Sequence, residues 1–235
     1  MTFINYQFKN FIRSYKYIAP LVTFLIILVV IYFYSNQPVL SSFASTSMIL
    51  LFISAWLTSI IVNLDSIEEK HLLFTQLKSR NTYLTGKLLF SCLILLPIVF
   101  CAILYPVITM RFEHWPILSE VLIGLYLHLV ITIVGIILTT LINSIPALSN
   151  KFIWLLIVLI FLISILRVTI IQTIPVLKFI LWIFPPISEL LMLLNQSSNI
   201  IFDASFLLTN VWLILYIIIV TTILYYVFNK TEYYS

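Results

Sequence analysis

From Phe152 to Thr173 the chain is almost entirely Ile, Leu, Val and Phe, with a single charged residue, Arg167, and runs of this kind recur along its length. An α-helix needs about 20 mainly apolar residues to cross the hydrocarbon core of a bilayer. Inside that core every backbone N–H and C=O must be paired within the protein, which confines spanning segments of this kind to helices. Apolar residues make up 63% of the 235 positions and charged residues 9%, with a mean hydropathy of +1.18. Soluble domains carry about 25% charged residues. The expected fold class is therefore all-α, a polytopic membrane protein forming a single transmembrane domain over 1–235.

The apolar runs place six spans at 17–35, 43–63, 84–106, 119–142, 152–173 and 205–228. Before them, Ile4, Phe8, Phe11, Ile12 and Tyr15 recur at three- and four-residue steps, with Lys9, Arg13 and Lys16 between them. That pattern makes 1–16 an amphipathic helix lying in the headgroup plane. The run from Tyr17 to Tyr34 exceeds the ~7–15 residues of a signal-peptide core, so it is read as a retained first span. Pro97 lies inside the third span and is expected to bend or loosen it. Between Thr173 and the last span, Pro175 and Pro185-Pro186 break an apolar stretch. We expect two short helices over 174–204, dipping into the outer leaflet as a re-entrant segment or packed on the other spans. Ser188 is expected to cap the second and Glu189 to sit in its first turn.

Lys and Arg set the orientation. With the N-terminus inside, the inner side holds Lys9, Arg13, Lys16, Lys70, Lys78, Arg80, Lys87, Lys151 and Lys230, and the outer side Arg111, Arg167 and Lys178. This asymmetry places both termini in the cytoplasm. The net charge of +4, without a basic stripe, suits anionic headgroups and argues against nucleic acid.

Charge is concentrated between Asp65 and Lys87, where Asp65, Glu68, Glu69, Lys70, Lys78, Arg80 and Lys87 fall between apolar spans. On a helix over 65–79, Ile67, Leu73, Phe74 and Leu77 share an arc of roughly 120°, with Asp65, Glu68 and Glu69 opposite. Such a helix either rests on the headgroups or docks in a partner's groove.

Other chemistry finds little support. The Glu68-Glu69 pair completes no protease motif, because Leu73 stands where a CAAX-type site needs arginine and no His pair follows. Cys92 and Cys101 lie about 13 Å apart along one helix and cannot bridge. Glu120 and His128 are about 12 Å apart and about 80° apart in azimuth, too far for a shared metal. Glu120 suits a helix start. His128 is either a packed neutral imidazole or a cavity-lining group. Arg167 either snorkels to the outer interface or pairs with Glu189.

Six spans, an amphipathic N-terminal elbow, a charged helix between the second and third spans and broken outer helices before the last span resemble an ABC-2 type permease. The family pattern of a Glu, spaced leucines, a small residue with Arg, an aromatic and Gly-Lys matches Glu69, Leu73, Leu77, Ser79-Arg80, Tyr83 and Gly86-Lys87. The stretch "KHLLFTQ" replaces the family's Thr-Leu-Glu-Leu core. The resemblance implies that 65–79 is the coupling helix and that Ile67, Glu68, Glu69, Leu73, Phe74, Leu77 and Arg80 engage an ATP-binding subunit. It implies pore walls from the first, second and fifth spans, with Ser54, Thr58, Asn63, His128, Ser164 and Arg167 as candidate cavity-lining residues.

The chain's only glycines are Gly86, Gly124 and Gly135, so it has no P-loop and no cofactor of its own. ATP and Mg would be bound by a partner ATPase, and the chain itself would not be an enzyme. The implied partners are ATP-binding cassette subunits, an identical or homologous second permease subunit, the lipid bilayer and hydrophobic or amphipathic peptide cargo. The implied location is the plasma membrane of a bacterium. The small size and Ile-, Asn- and Tyr-rich, Gly-poor composition are similar to low-GC Gram-positive members such as phenol-soluble modulin exporters and lantibiotic-immunity transporters. The rival expectation is a carrier not driven by ATP, or a membrane scaffold.

Overall fold

The computed structural model describes residues 3–77, 79–146, 148–195 and 204–231. In chain order the helices are α1 (Phe3–Ser14), α2 (Ile18–Ile31), α3 (Val39–Val62), α4 (Ile67–Gln76), α5 (Arg80–Ile108), α6 (Leu118–Asn143), α7 (Asn150–Thr173), α8 (Lys178–Leu181), α9 (Ile187–Asn195) and α10 (Ala204–Lys230). A 3-10 turn, Pro175–Leu177, precedes α8. No strand forms among the described residues, and the one isolated bridge joins Gln37 to Phe112.

Among the described residues, five helices are long and apolar enough to cross a membrane: α3, α5, α6, Lys151–Thr173 of α7, and α10. A sixth crossing exists only if α1 and α2, bent by 77°, count as one broken span. The expected first span, 17–35, is thus shorter in helix than its apolar run. The 14 residues of α2 rise about 21 Å, against about 30 Å of hydrocarbon core. Residues 33–38 are not helical, and Gln37 reaches the far end of α5. There its N–H donates to Arg111 O and its carbonyl accepts from Glu113 N–H. The α1–α2 bend is made at Tyr15, whose φ of 55° is left-handed. Ser14 Oγ donates to Phe11 O and accepts from Lys16 N–H, which holds the turn.

The core lies on α3 and α6. Their approach is close because α6 carries Gly124 against Phe43 and Gly135 against Ser54. A Cβ at Gly135 would collide with Ser54 Oγ and lie 3.4 Å from the Leu51 carbonyl oxygen. Leu50, Leu51, Ala55, Leu127 and Ile131 are fully buried at this seam. α5 continues through Pro97 and Pro106 as one helix. The outward faces are apolar: Leu155, Leu159, Leu162 and Leu166 run up α7 at helical spacing and stand exposed. This all-helical bundle with an apolar exterior is compatible with a polytopic membrane protein.

The segment expected as two short helices has α8 and α9, while its residues 196–203 lie outside the described positions. α8 is exposed except at Leu181, with Phe179 at 86%. α9 packs against α3, α7 and α10, burying Ile187, Leu190 and Leu191. Ser188 is the second residue of α9 and not its cap. Its hydroxyl accepts from Val168 N–H and donates to Glu189 Oε2.

Candidate functional site

α4 owes its start to Ser66. The Ser66 hydroxyl accepts from Glu69 N–H at 3.2 Å, and Glu69 Oε2 accepts from Ser66 N–H at 2.8 Å. This reciprocal pair satisfies two backbone donors that the first turn would otherwise leave open. Hydrogen bonds from its own backbone N–H and from Ser66 hold the exposed Glu68 carboxyl below its ordinary range, while burial lowers the Lys70 ammonium.

The helix has two unequal faces. Leu73, Leu77, Lys70 and Phe74 occupy about 100° of its circumference and turn into the protein, whereas Ile67, Glu68, Glu69, His71, Leu72, Thr75 and Gln76 fill the outward arc. Three of the four apolar residues expected to meet a partner, Leu73, Phe74 and Leu77, are therefore spent on the chain's own core. Leu73 is 6% exposed. Phe74 meets Tyr83 edge-on at 5.1 Å and Phe228 at 6.2 Å, and Tyr83 stacks on Phe228. Only Ile67 remains outward from that set, joined by Leu72 at 58% exposure.

Arg80, also expected at the partner interface, points inward as well. Its Nη1 donates to the carbonyls of Asn229 and Thr231, 3.1 Å away in each case, at the C-terminus of α10. A cation there complements the helix dipole. Its guanidinium also lies 5.6 Å from the centre of the Phe74 ring. Asn229 Nδ2 donates to Asn81 Oδ1, and Thr85 Oγ1 and Tyr225 OH are within 2.7 Å. Lys78 is outside the described residues.

Beneath α4 lies a buried polar knot. Lys87, 2% exposed, directs its ammonium to Asp65 Oδ2 at 2.8 Å, Gln7 Oε1 at 2.8 Å and the Ile61 carbonyl at 2.7 Å. Three acceptors match its three N–H donors. Asp65 also accepts from Tyr83 OH at 2.7 Å, from Gln7 Nε2 at 3.0 Å and from Asn10 Nδ2 at 3.5 Å. The knot ties α1, the end of α3, the α3–α4 loop and α5 together. Gly86 lets α1 approach, since a Cβ there would sit 2.5 Å from the Phe3 ring. Asp65 is thus not on the outward side of α4 with Glu68 and Glu69; it precedes the helix and faces the interior. Lys87 was legible as one of the inner-side charges and as part of the Gly-Lys match, but not as a buried ion-pair partner, and Gln7 not at all. A lysine within an apolar span demands a partner, and that rule alone would have pointed from Lys87 to the carboxylate at the preceding span's end.

The candidate cavity-lining residues divide. Ser54, Thr58, His128 and Ser164 are fully buried in helix contacts. His128 takes the packed alternative: Nε2 is 2.9 Å from Thr46 Oγ1, Nδ1 is 2.7 Å from Gly124 O, and Phe43 covers it edge-on. Arg167 pairs with Glu189, Nη1 to Oε1 at 3.1 Å, and does not snorkel. Asn63 borders an open cavity beside Trp56, Ser59 and Asn143. A second cavity, about 450 Å³, separates α1 from α4 and is bordered by Phe3, Tyr6, Glu69, Leu72 and Gln76. Glu120 takes the helix-start reading: its Oε2 accepts from Ile117 N–H at 2.9 Å, with His114 Nε2 at 3.3 Å.

No cluster of metal-ligating side chains occurs among the described residues. No family model, no curated protein and no solved structure matches the chain.

Proposed function

We propose that this chain is the permease subunit of an ATP-driven exporter of hydrophobic or amphipathic cargo, with amphipathic peptides as the cargo class. It would work beside a second permease subunit, with separate ATP-binding subunits docked on the outward arc of α4 at the cytoplasmic face of a bacterial plasma membrane. The reading is carried by one observation: α4 is clamped through Leu73, Phe74 and Leu77 to α5 and α10, while Ile67, Glu68, Leu72 and Thr75 on its outward arc are exposed. A helix held this way would pass any push on its outer arc to the spans beneath it.

α1, the α1–α2 bend, the start of α5 and the end of α10 carry Lys9, Arg13, Lys16, Arg80 and Lys230, which supports a cytoplasmic assignment by charge bias. ATP would drive export through its differential affinity for the two conformations of the complex. An ion-coupled carrier would need an ionisable group reachable from a midplane cavity. The burial of His128 between α3 and α6 favours the ATP-driven reading over that alternative.

The test is isolation from native membranes followed by reconstitution in sealed vesicles. An ATP-hydrolysing subunit is expected to accompany the chain, and the complex is expected to move an amphipathic peptide only when ATP is supplied. Transport by the chain alone, without a nucleotide-hydrolysing subunit, would refute the proposal.

A further inference from the structure

At the same end of the bundle as α4, an open cavity of about 420 Å³ lies between the end of α3, the end of α6, the start of α7 and the α1–α2 bend. Lys16, Trp56, Ser59, Asn63, Asn143 and Trp154 border it, and no carboxylate does among the described residues. Trp56 and Trp154 meet edge-on, with centroids 6.4 Å apart.

The hydrogen bonds already made inside the cavity define what it still offers. Asn63 Nδ2 donates to the Ser59 carbonyl at 2.9 Å and to Asn143 Oδ1 at 2.7 Å, which uses both its hydrogens. Asn143 Nδ2 donates to the Thr139 carbonyl at 2.8 Å, and Ser59 Oγ donates to Asn143 Oδ1 at 3.3 Å. Left for a ligand are two side-chain acceptors, Asn63 Oδ1 and Ser59 Oγ, and a group of donors: the Lys16 ammonium, the second Asn143 N–H and the two indole N–H groups. One cation without a carboxylate selects an anion, and the free acceptors select a ligand that also carries a hydroxyl.

The depth of the cavity narrows the choice further. Asn63 caps the C-terminus of α3, Asn143 ends α6, and Trp154 lies in the first turns of α7. Lysine and tryptophan at helix ends occupy the headgroup layer of a bilayer. We propose that this cavity binds the headgroup of an anionic glycerophospholipid, its phosphate on Lys16 and the indole N–H groups and its glycerol hydroxyl on Asn63. A choline headgroup is disfavoured because it has no hydroxyl for Asn63 and brings a second cation beside Lys16. A lipid held there joins the α1–α2 bend to α3, α6 and α7.

The full chain, purified in neutral detergent, is mixed with phosphatidylglycerol, phosphatidylcholine or soluble glycerol 3-phosphate, and retained molecules are counted by native mass spectrometry. One phosphatidylglycerol per chain is expected to stay, ahead of phosphatidylcholine and of glycerol 3-phosphate. The exposed Lys16→Gln is expected to lower its affinity about fivefold, the usual effect of one basic side chain on an anionic surface. Trp154→Phe keeps the ring, removes the N–H and is expected to weaken retention further. Lys9→Gln removes a charge that does not border the cavity and is expected to change nothing. Equal retention of the two lipids would overturn the proposal, as would an equal loss in Lys9→Gln. Binding of glycerol 3-phosphate as tight as that of the lipid would also overturn it, by making the site one for a soluble phosphate.

Discussion

Among the described residues, the acid–base pairs Lys87–Asp65 and Arg167–Glu189 tie separate parts of the bundle together, and they are built differently. At the α4 end, Lys87 and Asp65 are 2.8 Å apart with side-chain exposures of 2% and 0%. Each remaining ammonium donor has an acceptor, and the carboxylate collects Tyr83, Gln7 and Asn10 besides. Toward the other end, Arg167 and Glu189 approach to 3.1 Å with exposures of 8% and 28%. That contact is an ion pair without hydrogen-bond alignment, and Arg167 Nε has no hydrogen-bond partner. A buried pair resists being pulled apart only when its remaining lone pairs and protons are satisfied. The Asp65 knot therefore makes the α1–α4–α5 end a rigid block, while the α7–α9 contact is one that can be exchanged. If α4 is the driven element, as proposed above, stiffness lies at the driven end and pliability at the other.

The comparison is broken most directly at Asp65. Asp65→Ala leaves the Lys87 charge buried without its counter-ion and is expected to destabilise the chain by about 3–5 kcal/mol. The melting midpoint in detergent, followed with a thiol-reactive dye at the half-buried Cys92 and Cys101, reads this. Tyr83→Phe removes one charge-assisted hydrogen bond and is expected to cost about 1.5–3 kcal/mol in the same assay. Replacing both partners, Asp65→Leu with Lys87→Met, is expected to recover most of the Asp65→Ala loss, because apolar packing of similar volume often equals a buried ion pair. At the other pair, Glu189→Gln is expected to cost about 1 kcal/mol or less, as partly solvated pairs do. A Glu189→Gln loss as large as that of Asp65→Ala would erase the distinction.

Much of the architecture was legible from the apolar runs, because α3, α5, α6, α7 and α10 each fill a bilayer-length stretch that carries few charges. α2 was not, since hydropathy registers the apolar run through Tyr32 and Tyr34 but not the helix end at Ile31. Periodicity found the apolar stripe of α4 but could not assign it. Leu73, Phe74 and Leu77 look alike whether they face a partner or, as here, the Tyr83–Phe228 stack. Side choice depends on residues distant in sequence, and the contact of Phe74 with Phe228 spans most of the chain. The same distance hid Gln7, a neutral side chain in an N-terminal helix with no local mark of its pairing with Lys87. The Arg167–Glu189 pair was one of two alternatives legible in the sequence, because a charge in an apolar span has few partners to choose from.

The claim most open to contradiction is that ATP-driven motion enters through the outward arc of α4. ATP-dependent peptide export into sealed vesicles, measured for the complex carrying Glu68→Lys and Leu72→Asp, tests it. Both side chains are exposed, so the melting midpoint should correspond to a change within about 0.5 kcal/mol of the parent. If motion enters there, the ATP-hydrolysing subunit dissociates and export stops. Export at the parent rate by this variant would contradict it.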